Sequence, residues 1–207
     1  LLGGPVAKKL KADGFDVRVF VRSKEKFEAS FDDDYEMAVG DVFDKSSLEK
    51  AMENCTFVHI SLSNLNDGSA ARNIAEAAKK QSIKKIGLVT GSTVSEKNSW
   101  FGMMKSKLEA ENTIKASGIP YIIFKPSWFY DTLPRFIRNG KASVIGKQTK
   151  KFHWMAAEDF AGMVSKAYQN EKISNMAFPC FGPEVYTMKE ALEAYCKQAQ
   201  PEIKKVG

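Results

Sequence analysis

The sequence predicts an α/β fold, a doubly wound parallel sheet with helices on both faces and a small C-terminal lobe. Three observations carry that expectation. Short β-branched runs alternate with helix-like segments as far as Pro126, the pattern of β-α units. The chain has 207 residues, 43% hydrophobic and 27% charged, which fits one ordinary globular domain and not a disordered chain. A helix opens at a Gly-Gly step and leads directly into a strand, a local order that α/β sheets use at their first crossover.

The elements follow in order. A helix is expected over 5–12: Pro5 suits a first turn, Val6 and Leu10 are four apart, and Gly14 stops it. Residues 17–21, Val-Arg-Val-Phe-Val, read as a strand, and 37–39 as a short strand ending at Gly40-Asp41. A helix over 46–54 opens on a Ser46…Glu49 capping box and places Leu48, Ala51 and Met52 on one face. A strand follows at 56–62. An alanine-rich helix at 70–80 turns Ile74, Ala77 and Ala78 inward. Next come a strand at 86–90, a helix at 103–117 ended by Gly118, and a strand at 121–124. Crossovers between such parallel strands are right-handed. After Pro126 the pattern loosens. Residues 127–146 mix aromatics with basic side chains. A helix at 158–168 puts Phe160, Val164, Ala167 and Tyr168 on one stripe. Gly182-Pro183 is a turn, and Thr187…Glu190 caps a last helix bearing Met188, Ala191, Leu192 and Tyr195. The Lys-rich tail from Pro201 frays.

Composition excludes several function classes. The longest apolar stretches are a few residues, such as 121–124, where a membrane span needs roughly 20. Cys55, Cys180 and Cys196 are an odd set without motif spacing, which argues against a disulfide scaffold and for a reducing, cytoplasmic compartment. His59 and His153 are far apart, so no metal site is expected. His59 reads as a core histidine and His153 as a structural hydrogen-bonder. The net charge is +6, but it is uneven: residues 31–60 hold eight acids and two bases, and residues 97–156 hold eleven bases and three acids. A positive segment of that kind suits a phosphorylated ligand or a nucleic acid.

The chemistry starts at the Gly-Gly step. Glycines let a backbone approach a pyrophosphate, and the helix N-terminus offers N–H groups and partial positive charge to the anion. Gly3 and Gly4 hold that place here. The residue ending the next strand meets the adenosine ribose; it is Arg22, followed by Ser23, Lys24 and Lys26. An acid there would bond a free 2′-hydroxyl, whereas a guanidinium fork suits a 2′-phosphate. NADP(H) is therefore favoured, with NAD(H) as the alternative.

The run Leu2-Gly3-Gly4-Pro5-Val6-Ala7-Lys8-Lys9-Leu10, Gly40-Asp41, Val89-Thr90-Gly91-Ser92-Thr93, residues 117–129, Ala157-Glu158-Asp159-Phe160-Ala161 and Gly182-Pro183-Glu184 stand in a recognisable order. Together they resemble an extended or atypical short-chain dehydrogenase/reductase, of the NmrA-like branch. Gly3 matches the third glycine of that family's Gly-x-x-Gly-x-x-Gly, which implies a first strand and two further glycines upstream of Leu1. The resemblance implies a Rossmann-like fold with strand order 3-2-1-4-5-6, a nucleotide-binding part at 1–126 and substrate-lobe elements at 127–207. It also implies a cofactor site made by Gly3, Gly4, Arg22, Ser23, Asp41 at the adenine, Ser61, Leu62, Ser63, Thr90, Gly91, Lys107 at the nicotinamide ribose, and Pro126, Trp128 and Phe129 at the nicotinamide and substrate.

Active members of that family carry a Tyr-x-x-x-Lys pair on the helix after their fifth strand. The lysine lowers the tyrosine pKa, and the tyrosine moves a proton while hydride moves. Ser92 and Lys107 match the family's serine and lysine. The tyrosine position holds Met103, and the other possible register, Phe101 with Lys105, lacks a hydroxyl as well. Three readings follow: a reductase of a quinone or conjugated carbonyl that needs no usual acid, with Tyr130 as a candidate hydroxyl; an NADP(H) sensor acting through a protein partner; and, least favoured, nucleic-acid binding through the basic segment with Trp128, Phe129, Arg135, Arg138 and Lys141.

Overall fold

The computed structural model of the chain describes residues 1–62, 65–203 and 206–207. It opens on α1 (Gly3–Ala12), which buries Val6 and Ala7 and closes at Gly14, whose φ of +90° is left-handed. β1 (Arg18–Val21) and β2 (Glu36–Val39) flank the short α2 (Lys24–Glu28). Then α3 (Lys45–Met52), β3 (Phe57–Ile60), α4 (Asp67–Lys80), β4 (Lys85–Val89), α5 (Gly102–Ala116) and β5 (Tyr121–Pro126) alternate as expected. β6 (Trp128–Phe129), a 3-10 turn (Tyr130–Phe136), β7 (Ile137–Arg138), β8 (Lys141–Ala142) and β9 (Lys151–Met155) follow. The chain ends with α6 (Ala157–Gln169), β10 (Met176–Cys180), β11 (Glu184–Thr187) and α7 (Met188–Ala199).

The central sheet is parallel, in the order β10-β5-β4-β3. β1 and β2 form a separate parallel pair. In the expected numbering these are strands 4-5-6 and 2-3, each in the expected internal order. No described strand is hydrogen-bonded between β1 and β3, the place of the first strand expected upstream of Leu1. β10 is an addition. Its Pro179 and its mostly exposed residues disguised it, but it is an edge strand, where a missing N–H costs nothing. β11, β9 and β6 build a small mixed sheet under α7, and β7 and β8 a two-residue hairpin pair.

Alternation along the central strands feeds two cores. Ile86, Leu88 and Ile123 face α3, α4 and α5, while Val89, Ile122 and Phe124 face α1 and α6. Burying a side chain such as Phe124 stabilises by roughly 2 kcal/mol. A third cluster, around Trp154, Leu133, Met188 and Leu192, holds the C-terminal lobe. Residues beyond Pro126 thus supply both β10 and α6 to the main layers.

Two helix starts differ from expectation. The cap of α3 is Asp44, whose carboxylate accepts from the Ser46 amide at 3.0 Å. Ser46 lies inside the first turn, so the Ser46…Glu49 box does not form. α4 begins at Asp67, three residues before the alanine run, because its first turn is held by partners described below. The Thr187…Glu190 box is present on α7.

Candidate functional site

The loops at the carboxyl ends of the parallel strands gather most of the sequence-predicted residues. Gly3 lies beside the end of β3: a Cβ placed on it would stand 3.9 Å from Ser61 Cβ, and one on Gly4 would meet nothing within 4 Å. The first turn of α1 carries no acid, and Lys9 and Lys11 sit in its last turn. With no acid in its first turn, the amino end of this ten-residue helix is partly positive.

Arg22 directly follows β1 and is exposed. Among the described residues it joins no ion pair, whereas Lys24 pairs with Glu28 at 3.1 Å and Arg18 with Glu36 at 2.7 Å. Ser23 precedes α2; bonds from the Glu25 amide and the Ser23 hydroxyl hold Glu25 below the usual carboxylate range. Asp41 is exposed after β2. Its carboxylate accepts the Phe43 amide at 2.9 Å, and its own amide donates to Ser47 Oγ at 3.2 Å. Ser61 and Leu62 are half-buried at the end of β3; the expected contact at Ser63 lies outside the described residues.

Lys107 is buried, 7% exposed, on α5. Its ammonium donates to Asp67 Oδ2 at 2.9 Å and to the Leu62 carbonyl at 3.3 Å. The neighbouring Ser106 Oγ accepts the Gly68 amide at 3.1 Å, so α4 starts where it docks on α5. One turn before Lys107 stands Met103, half-buried, and Met104 receives the Thr93 hydroxyl at 3.5 Å. No hydroxyl occupies the place a family tyrosine would take.

Ser92 is exposed in the turn after β4, and its amide donates to the Pro126 carbonyl at 2.8 Å. Gly91 faces the same carbonyl, 3.9 Å from its built Cβ. Thr90 is buried with its hydroxyl on Glu111 at 2.7 Å, so the hydroxyl faces α5. Phe129 is buried against Phe160, and Trp128 packs on Phe152 and Trp154. These aromatic rings of the basic segment serve a core.

Tyr130 belongs to another group. It stacks on Trp154 at 5.6 Å, and its hydroxyl donates to Glu184. Burial, and then the Glu184 carboxylate, push this phenol well above its ordinary range, so it holds its proton. His153 Nδ1 bonds the Gly182 carbonyl at 2.9 Å, the structural role expected for it. His59 is half-buried on β3, where its Nδ1 meets the Tyr168 hydroxyl at 2.9 Å; its Nε2 is shut from water with no partner among the described residues, and burial lowers its pKa to about 4. Cys55, Cys180 and Cys196 are free, and no described helix is long and apolar enough to cross a membrane.

Sequence reasoning missed Asp67, Lys125 and Glu184 and did not foresee the burial of Glu111. Each is a charged residue whose partner lies far along the chain, and spacing carries no trace of that.

Comparison with known proteins adds to this geometry. Residues 2–171 match the family described as NAD(P)H-binding. No curated protein matches the chain. Among solved structures it is similar to an NADPH-dependent quinone oxidoreductase from Escherichia coli in complex with NADPH, at 20% identity and TM-score 0.79 over 99% of this chain and 73% of that one. The triphenylmethane reductase of Citrobacter sp., complexed with NADP(H), is similar at 19% identity and TM-score 0.79, over 99% and 74%. A nucleoside-diphosphate-sugar epimerase from Staphylococcus aureus is similar at 21% identity and TM-score 0.77, over 100% and 76%.

Proposed function

Because the chain belongs to the NAD(P)H-binding family, we propose that it is an NADPH-dependent reductase of a small quinone-type or conjugated carbonyl acceptor. The residues present suit the nucleotide. The partly positive amino end of α1 takes the pyrophosphate, and Gly3 and Gly4 leave room for it. Arg22, exposed and unpaired among the described residues, takes the 2′-phosphate and gives the preference for NADP(H) over NAD(H). Ser23 and Asp41 border the adenosine, and Ser61 and Leu62 the strand-end side. Bound NADPH supplies the hydride.

One observation carries the choice of acceptor: Met103 stands one turn before Lys107 where a proton donor is otherwise needed. A simple ketone that gains hydride becomes an alkoxide and needs an acid at once. A quinone gains hydride as a phenolate-type oxygen, whose conjugate acid sits near pH ~10 on the tyrosine scale, and water can protonate it afterwards. In this reading Lys107 orients the nicotinamide ribose, Ser92 donates to the acceptor oxygen, and the segment from Pro126 through Trp128 to Phe129, its rings packed inward, borders the nicotinamide. Tyr130 keeps its proton on Glu184 and shapes the lobe beside the acceptor. The activities named for the quinone oxidoreductase and the triphenylmethane reductase agree with an acceptor of this kind.

The same missing acid also supports a second reading, an NADP(H) sensor that acts through a protein partner without turnover. One assay separates the two: NADPH oxidation across quinones, enals and saturated ketones, beside NADPH titration of intrinsic fluorescence. Turnover with quinones or enals and none with saturated ketones is expected. Tight NADPH binding with no turnover on any acceptor rejects the reductase and leaves the sensor.

A further inference from the structure

Glu111 follows Lys107 by one helical turn on α5 and is only 2% exposed. Its Oε1 accepts the Thr90 hydroxyl at 2.7 Å and meets Lys125 Nζ at 2.9 Å; Oε2 lies 3.2 Å from the same ammonium. Lys115, exposed one turn further on, stands at 3.6 Å. Lys125 also donates to the Val94 carbonyl at 3.1 Å. Thr90 and Val94 are the two ends of the turn that carries Gly91, Ser92 and Thr93. That turn is closed by Val94 N–H on the Gly91 carbonyl at 3.1 Å and leans on Pro126 through Ser92 N–H. Both ends of the turn therefore hang from one carboxylate, directly at Thr90 and through Lys125 at Val94.

We propose that Glu111 is a positioning residue that sets the Gly91–Ser92 backbone against Lys107. The proposal rests on the reductase reading of this site. Glu111 and Lys107 share one rigid helix, so fixing the turn to Glu111 fixes Ser92 relative to the Lys107 ammonium. A buried ion pair contributes little net stability over an apolar pair of similar volume, but it is directional. An apolar pair in its place holds the layers together and leaves the turn untethered.

The test compares the full chain with Glu111→Leu/Lys125→Met, which removes both charges, and with Glu111→Gln, which strands the Lys125 ammonium and serves as the destabilised control. In the double variant the melting temperature and NADPH affinity stay close to the starting protein. kcat with a quinone acceptor falls about tenfold or more, as a displaced contact group demands, while KM changes little. Amides 91–94 exchange with deuterium about tenfold faster. A folded double variant with unchanged kcat and unchanged exchange at 91–94 overturns the role. If the unmodified chain binds NADPH but reduces nothing, the reductase reading fails alone; exchange at 91–94 in the double variant still decides the positioning role.

Discussion

The hydroxyl of Tyr168 lies 2.9 Å from Nδ1 of His59, and it reaches that nitrogen through the space a side chain at residue 87 would fill. α6 and the centre of the main sheet meet at this point. A methyl group on Gly87 overlaps the phenol oxygen, so Gly87→Ala lowers stability by about 2 kcal/mol. Gly182→Ala is worse, about 3 kcal/mol, because its methyl meets the Trp154 carbonyl and backbone cannot swing aside. Gly162 in α6 is the control: nothing lies within 4 Å of its built Cβ, and Gly162→Ala gains about 0.5 kcal/mol from helix propensity. Urea denaturation of the three variants checks the order.

His59 gives the fold a pH dependence. Burial lowers its folded pKa to about 4 from the 6.5 of a free imidazole. The unfolded chain therefore takes up the proton first, and stability falls as pH drops from 6.5 toward 4. Between pH 7 and pH 5 the loss is about 2 kcal/mol. His59→Phe, measured by urea denaturation at both pH values, flattens that difference; an unchanged slope places the proton uptake elsewhere.

The Lys107–Asp67 pair is buried on both sides, with side-chain exposures of 9% and 5%. Lys107→Met removes a buried partner of the Asp67 carboxylate and costs about 3 kcal/mol. Lys107→Met/Asp67→Asn regains most of it without regaining NADPH turnover. Thermal melts and steady-state rates on the same preparations separate the two effects.

At the adenosine end, Arg22→Asp weakens NADPH at least about tenfold relative to NADH, since it removes a phosphate partner and adds a repulsive charge. Parallel fluorescence titrations check it. Equal loss for both nucleotides removes the 2′-phosphate role.

Met103→Tyr places a hydroxyl one turn before Lys107, on the same helix face. Reduction of saturated ketones rises about tenfold or more, and quinone reduction changes little. A panel of acceptors at fixed NADPH measures the ratio.

Periodicity made the α-β order legible, because Val17, Val19 and Val21 or Ile74, Ala77 and Ala78 report a local preference. The placement of Gly3 at the start of α1 and of Arg22 directly after β1 was legible in the same way. Cap geometry was less so. Ser46…Glu49 and Thr187…Glu190 have the same spacing, but Asp44 already held the cap in front of Ser46. The inner half of the site was not legible. Thr90 is a strand-end hydroxyl that turns inward to Glu111, and Lys107 meets an aspartate 40 residues earlier. Such pairings arise only when layers stack, and no local signal encodes them.

Helix α1 lies on a surface it shares with α6: Val6 packs among Phe160, Val164 and Tyr168, and Ser165 donates a hydrogen bond to Asp13 across 152 positions of sequence. Helix α1 thus has no complete floor until residues near 165 have been synthesised. During synthesis 152 positions separate Asp13 from its partner Ser165, and segments that far apart join late. Chains released before α6 are therefore expected to expose the apolar side of α1 and to be cleared by proteases.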